Sequence, residues 1–97
     1  MVYFNKSNIK QYRFVLLFRQ FMLINNKHIF SSIEIKEIGI QLNRLLKNNT
    51  NYSSQYIINI LSKYGINNIL KKHSKSMRTS LWFHIPLDSS LKIKVNA

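Results

Sequence analysis

The sequence contains no cysteine, one proline, two glycines and three acidic residues among its 97 residues. Because it has no cysteine, neither a disulfide nor a thiolate zinc site can reinforce the fold. A domain of this length buries only part of the surface that its unfolded chain exposes, and its stability is correspondingly marginal. No linker or internal repeat divides residues 1–97, so we expect a single domain that a larger assembly helps to hold together.

The scarcity of acidic residues leaves a large excess of positive charge. Lysine and arginine number 15, and the formal net charge is +12. Charge of one sign repels itself within a compact chain, and a nucleic acid relieves that repulsion because its phosphates release counterions when they meet lysine and arginine. Anionic lipid is the other polyanion that could do so. The charge therefore predicts a polyanionic partner.

The residue types that dominate have codons that consist wholly or largely of A and T: isoleucine (14), asparagine (12), lysine (11), phenylalanine (6) and tyrosine (5). Glycine, alanine and proline, whose codons are rich in G and C, number four together, although glycine alone averages about 7% of residues. This bias indicates a very AT-rich genome, such as that of an organelle, an AT-rich nucleus or a bacterium. A short, strongly basic, AT-biased chain fits best with a gene kept in an organelle genome. Residues 1–10 show no long apolar core of the kind found in a targeting signal, and we expect a protein made inside the organelle and located in the mitochondrial matrix.

Residues 8–25 mix apolar and basic side chains in the pattern of an amphipathic helix. The apolar run Phe14–Phe18 could instead form a strand, but the length of the whole pattern favours a helix. The most apolar stretch, Phe14–Ile24, is interrupted at Arg19. A bilayer needs about 20 apolar residues, so we expect no membrane-spanning helix and no membrane partner.

The next segment, residues 27–35, is compatible with a short strand but also contains a helix start. Ser31 and Glu34 have the Ser-x-x-Glu spacing of a capping box. Isoleucines and leucines recur at helical spacing after it. We therefore predict a second helix from about Ser32 to Lys47, which Asn48-Asn49 ends.

A third helix is predicted to begin at a cap formed by Ser53 or Ser54. Its apolar stripe runs to Tyr64, and Gly65 sits where a helix end favours a left-handed residue. Residues 71–78 then read as a basic loop.

The hydrophobic period changes towards the end of the chain, where residues 80–85 and 91–95 look like two strands around a turn at Pro86. In the last strand, apolar residues alternate with lysines. The predicted fold class is therefore α+β, a small single domain of about three helices followed by a C-terminal two-stranded β-hairpin.

Side chains that could carry catalysis are few. Glu34 is better explained as a helix cap, and Asp88 lies in a predicted turn, which leaves only Glu37 as an uncommitted carboxylate. There is no glycine-rich phosphate loop. The histidines lack the spacing of metal ligands: His28, His73 and His84. We therefore expect no enzyme, no catalytic or metal-binding residue, no cofactor and no small-molecule substrate.

The basic residues are the strongest candidates for function, because arginine grips phosphate as a fork and lysine binds it as a point charge. The predicted RNA-binding residues are Lys6, Lys10, Arg13, Arg19, Lys27, Lys71, Lys72, Lys75, Arg78, Lys92 and Lys94. For the cluster at 71–78, the alternative is a solvated loop without a ligand. Four aromatic residues could stack on unpaired bases, although packing in the core is favoured for each: Tyr3, Phe4, Tyr52 and Trp82.

One segment carries a family resemblance. Residues 60–66, Ile-Leu-Ser-Lys-Tyr-Gly-Ile, end the third predicted helix with the pattern Ile-Leu-x-x-x-Gly followed by an apolar residue. Together with the order helix, extended segment, helix, strand, strand, this resembles the N-terminal half of bacterial-type small-subunit ribosomal protein eight, with the helix at 32–47 as an insertion. In that family two strands follow, as predicted here for 80–96. The resemblance implies packing against small-subunit ribosomal RNA.

These observations lead to three hypotheses. The first is a structural protein of a mitochondrial ribosome, with ribosomal RNA and neighbouring ribosomal proteins as its partners. The second is an accessory subunit of a respiratory or ATP-synthase complex, whose basic helix at 8–25 would lie on anionic lipid. The third is a DNA-binding protein with a helix-turn-helix at about 54–72, whose second helix would be too short to read many bases. The first is favoured because the cations are spread over every predicted element.

Overall fold

Three helices and three short strands make up the computed structural model, which describes residues 6–66, 68–73 and 81–86. The elements are α1 (Lys6–Asn25), β1 (Ile29–Ser31), α2 (Ser32–Leu45), α3 (Ser54–Lys63), β2 (Leu70–His73) and β3 (Leu81–His84). They form one small α+β domain, which agrees with the predicted class. The number and order of the strands differ from the prediction.

Serine caps fix where the second and third helices begin. The Ser31 hydroxyl accepts a hydrogen bond from the Glu34 backbone N–H at 3.2 Å, and the Glu34 carboxylate accepts one from the Ser31 N–H at 3.2 Å. This confirms the predicted capping box. At α3 the cap is Ser53, whose hydroxyl accepts from the Tyr56 N–H at 3.1 Å, while Ser54 is the first helical residue.

All three helices end in a Schellman motif, in which the residue after the C-cap is left-handed and the chain bonds back to the last turn. The left-handed residues are Asn26 (φ 47°), Lys47 (φ 58°) and Gly65 (φ 103°). In each motif, the next N–H bonds to a carbonyl five residues back, as from Asn48 to Asn43 at 2.8 Å. Helix α2 thus ends at Leu45, and the prediction that it continued to Lys47 was wrong.

The described strands form one antiparallel sheet in the order β1-β3-β2. Phe83 of β3 lies between Phe30 of β1 and Lys71 of β2, and its neighbour Trp82 lies between Ser31 and Lys72. Strand β3 pairs with both β1 and β2, whereas the prediction paired it with residues 91–95 alone. Residues 91–95 lie outside the described residues. The start of the predicted basic loop at 71–78 is also corrected, since Lys71–His73 belong to strand β2. The loop prediction failed there because β2 shows none of the alternation of a half-buried strand.

The core lies between the helices and one face of the sheet. Its buried side chains come from every helix, from β1 and from β3. The run Phe14–Phe18 lies within α1, which confirms the predicted helix rather than a strand. Phe14 and Phe18 are fully buried, and Phe18 packs on Phe30 with ring centroids 5.6 Å apart. Helices α2 and α3 approach closely at Gly39, where an added Cβ would lie 2.6 Å from Ile57 Cδ1.

Candidate nucleic-acid interface

The predicted RNA-binding residues fall into three groups in the structure. Lys10 and Arg13 on α1 are exposed, as are Lys71 and Lys72 on the edge strand β2. Lys6 begins α1, and its side chain lies outside what the structure describes. Four predicted residues also lie outside the described part: Lys75, Arg78, Lys92 and Lys94.

The remaining two predicted residues are half-buried. Lys27 forms an ion pair with Glu34, and its ammonium lies 5.3 Å from the centre of the Phe30 ring. The pKa of Glu34 is lowered, first by the hydrogen bond from Lys27 and then by those from Ser31, which together outweigh the effect of burial. Arg19 has its Nε buried without a hydrogen-bond partner in the described structure. The positive charge of Lys27 is therefore partly neutralised by Glu34 within the protein.

The structure brings Lys10 and Arg13 together with a third cation that the sequence analysis missed. Lys10 and Arg13 are three residues apart, which places them on one side of α1. They line a depression of about 130 Å³ together with Leu46, Lys47 and Asn48, which follow α2. Within the described part of the chain, no carboxylate pairs with any of the three cations. We call this depression, lined by Lys10, Arg13 and Lys47, the cation pocket.

Lys47 reaches the cation pocket from a left-handed backbone, at φ 58°. Asn43 and Asn48 hold this segment in place. Asn48 donates from its backbone to the Asn43 carbonyl at 2.8 Å and from its side chain to Asn43 Oδ1 at 3.1 Å. Because Asn43 is only 2% exposed, these bonds anchor the segment to a buried residue.

An aromatic depression adjoins the cation pocket and shares Lys10 with it. Its volume is about 220 Å³, and its other lining residues are Gln11, Thr50, Tyr52 and Tyr56. The centroids of the two tyrosine rings lie 4.7 Å apart, and the ring planes are inclined at 53°. Tyr52 also makes an edge-to-face contact with Phe14 of the core, with ring centroids 5.0 Å apart. Burial, and then the neighbouring Tyr56, raise the pKa of Tyr52. We call Tyr52 and Tyr56 the tyrosine pair.

Gln11 ties the tyrosine pair to the rest of the helical layer. Its side-chain N–H donates to the Tyr56 hydroxyl at 2.7 Å, and its side-chain oxygen accepts from Lys63 Nζ at 3.0 Å. Tyr56 remains 38% exposed. The ring is thus held in orientation while part of its surface faces solvent.

The face of the sheet away from the core carries apolar, aromatic and polar side chains side by side. The register aligns Ile29, His84 and Leu70 in one row across the three strands, and Ser31, Trp82 and Lys72 in the next. Ile29 and Leu70 are exposed, and Trp82 and His84 are half-buried. Trp82 is thus outside the core that was favoured for it, whereas Tyr52 packs partly against the core.

The described residues contain no group of three or more histidine, cysteine, aspartate or glutamate side chains that could hold a metal ion. Among the same residues, none of the helices has the length and hydropathy needed to cross a bilayer.

No family model, curated protein or solved structure matches this chain. Its function must therefore be argued from its own residues and their arrangement.

Proposed function

We propose that this protein is a structural component of a mitochondrial ribosome that binds ribosomal RNA through contacts between lysine or arginine and phosphate. The observation that carries the proposal is the excess of exposed basic residues over acidic ones. The chain has 15 basic and three acidic residues, and of the two acids in the described part, Glu34 is already paired with Lys27. Such a surface binds a polyanion with little regard to its sequence.

The distribution of the cations favours RNA over a lipid surface. A helix that lies on a membrane carries its cations along one polar face. In this chain exposed basic residues lie on each described helix, on β2 and in the segment after α2. They are Lys10, Arg13, Lys36, Arg44, Lys47, Lys63, Lys71 and Lys72. A folded RNA can surround a small protein on several sides, whereas a bilayer meets one side.

The proposed mechanism is neutralisation of RNA phosphates by lysine and arginine side chains, which a small α/β core holds at fixed positions. Recognition would follow the shape of the RNA more than its sequence. The proposal includes no catalysis, cofactor or small-molecule substrate. Neighbouring ribosomal proteins would cover exposed apolar side chains such as Ile24 and Leu45, which are 81% and 72% exposed.

The assignment to the small subunit rests on the resemblance of residues 60–66 to small-subunit ribosomal protein eight. Gly65 ends α3 with a left-handed backbone, and two strands, β2 and β3, follow it. The strand predicted over residues 80–85 corresponds to β3, and the one predicted over residues 91–95 lies outside the described residues. Helix α2 remains an insertion in this comparison.

Sedimentation of the native protein tests the proposal. Mitochondria are lysed gently, the lysate is run on sucrose gradients at low and high magnesium, and the chain is followed by mass spectrometry. We expect it to travel with the small subunit and to leave those fractions after RNase treatment. If the chain stays with the membrane pellet regardless of RNase, the ribosomal proposal is wrong and a subunit of a respiratory or ATP-synthase complex takes its place.

A further inference from the structure

We propose that the cation pocket and the tyrosine pair together bind one unpaired nucleotide of an RNA, with its phosphate on Lys10, Arg13 and Lys47 and its base against Tyr56. This inference deepens the proposed function and rests on its RNA-binding part. The two depressions adjoin, because Lys10 lines both of them. A nucleotide has the same two parts, an anion and a flat apolar ring, joined by a sugar.

The phosphate half of the site is built from three cations on two separate elements. Lys10 and Arg13 come from α1 and Lys47 from the end of α2. Arginine can give two parallel hydrogen bonds to a phosphate, and charge-assisted bonds of this kind are about twice as strong as neutral ones. Since no carboxylate of the described residues neutralises the pocket, its field remains available to an anion.

The base half of the site is an aromatic surface whose rings are fixed by contacts with Phe14 and Gln11. Tyr52 packs on Phe14, Tyr56 packs on Tyr52, and Gln11 fixes the Tyr56 hydroxyl at 2.7 Å. A base that stacks on a ring already held in place requires little further ordering of the protein. Stacking needs an unpaired base, because a base within a duplex is covered on both faces.

The backbone at Lys47 is left-handed, which is an unfavourable conformation for a lysine. The equivalent left-handed positions after α1 and α3 are occupied by Asn26 and Gly65, residue types that tolerate this conformation. Lysine does not share that tolerance, so its presence at φ 58° has a cost in stability. Strained residues of this kind cluster at binding sites, and this one lies in the cation pocket.

The experiment compares the affinities of the purified full chain for two RNA probes by fluorescence anisotropy. One probe is a labelled single-stranded oligouridine, and the other is a labelled RNA duplex of equal length. The variants are Lys47→Gly, which removes the cation and relieves the backbone, and Tyr56→Leu, which keeps apolar bulk but removes the ring. Lys36→Gln is the matched control, because Lys36 is exposed on α2 and does not line either depression.

We expect Lys47→Gly to raise the melting temperature while it weakens single-strand binding severalfold more than Lys36→Gln does. We expect Tyr56→Leu to weaken single-strand binding roughly tenfold, because the leucine offers no aromatic ring for a base to stack on, and to leave duplex binding nearly unchanged. Opposite changes in stability and affinity at Lys47 would not follow from unfolding.

The site is disproved if Lys47→Gly and Lys36→Gln weaken binding equally, or if Tyr56→Leu affects both probes alike. It is also disproved if anionic phospholipid vesicles bind the chain more tightly than the single strand does and depend on Lys47. These outcomes leave the ribosomal proposal to the sedimentation experiment. Conversely, a chain that binds the single strand through these residues but never sediments with the ribosome would keep this site and disprove the ribosomal proposal.

Discussion

At the scale of single residues, the serine before α3 shows how one hydroxyl fixes the start of a helix. Ser53 accepts the Tyr56 N–H, whereas Ser54 is already helical. We expect Ser53→Ala to lower the free energy of unfolding by about 1 kcal/mol, the usual loss on removal of a cap. In a domain of this size that corresponds to a fall of about 4–8 °C in melting temperature.

Ser54→Ala is the matched control for this prediction, because it removes the same hydroxyl one residue later. Thermal denaturation followed by circular dichroism compares the two variants with the wild type. Equal losses in both variants would contradict the assignment of Ser53 as the cap.

The ion pair between Lys27 and Glu34 predicts a dependence of stability on pH. The folded state lowers the pKa of Glu34, chiefly through the hydrogen bond from Lys27. A carboxyl whose pKa is lower in the folded state stabilises the protein above its unfolded pKa, and this contribution is lost as the pH falls through the folded pKa. We therefore expect Glu34→Gln to be less stable than the wild type near neutral pH, with the difference closing as the pH falls through the lowered pKa of Glu34 in the folded state.

The size of that difference is small because both side chains are partly exposed, at 40% for Lys27 and 35% for Glu34. Pairs with such exposure contribute less than about 1 kcal/mol. Melting temperatures of the two proteins across the acidic range provide the measurement, and Glu37→Gln, at an exposed position on the same helix, serves as the control. A constant difference at every pH would show that the charge of Glu34 is not responsible.

At the scale of elements, the contact between α2 and α3 depends on the missing side chain of Gly39. An added Cβ would lie 2.6 Å from Ile57 Cδ1, and Ile57 is fully buried. We expect Gly39→Val to destabilise the protein by about 2 kcal/mol, because overpacking a core costs about 1–3 kcal/mol. Urea denaturation measures the change.

Gln41→Val is the matched control, because it introduces valine at an exposed position of the same helix, away from the contact with α3. We expect this variant to lose less than about 0.7 kcal/mol, which is the range of propensity among ordinary residues. If both valine variants lose the same amount, the close approach of α2 and α3 at Gly39 contributes nothing to stability.

The elements that the sequence predicts well are those with local signals. Ser31 and Glu34 predicted the start of α2, and Gly65 marks the end of α3, because caps depend on neighbours within a few residues. Strand β2 was missed for the opposite reason. Lys71 and Lys72 form a strand because they pair with β3, about ten residues further along the chain. The sequence pattern of residues 70–73 alone does not predict this pairing.

At the scale of the whole molecule, the proposed function predicts a steep dependence of RNA binding on salt. The logarithm of the affinity falls in proportion to the number of phosphates that the protein neutralises. We expect the double variant Lys71→Gln and Lys72→Gln to reduce the salt slope by about two, because each phosphate contact contributes roughly one. Titrations of ribosomal RNA fragments at several salt concentrations measure the slope.

The control for this prediction removes two charges elsewhere, with Lys36→Gln and Arg44→Gln on the exposed side of α2. Its net charge equals that of the first double variant, so only the position of the charge differs. If the two double variants reduce the slope by the same amount, the RNA contacts α2 as closely as β2, and the predicted preference for the lysines of β2 is wrong.

The candidate site could be predicted only in part. Lys10 and Arg13 were predicted because they are basic residues within the first predicted helix. Lys47 was missed because its place in the cation pocket depends on where α2 stops and on how the segment after it returns to α1. Those features are set by the bonds between Asn48 and Asn43, which pair an exposed polar turn with a buried residue. No periodicity in the sequence shows such a pairing.

The order β1-β3-β2 has a consequence for how the chain folds as it leaves the ribosome that makes it. The central strand of the described sheet, β3, is synthesised after both of its neighbours. Phe30 pairs with Phe83, and more than half of the chain lies between these two residues. Until β3 emerges, β1 and β2 have no partner in this sheet, and the nascent chain has only its helices to shelter Phe30. Because β3 pairs with both neighbours and is made after them, the described sheet can close and cover Phe30 only once residues 81–84 have emerged.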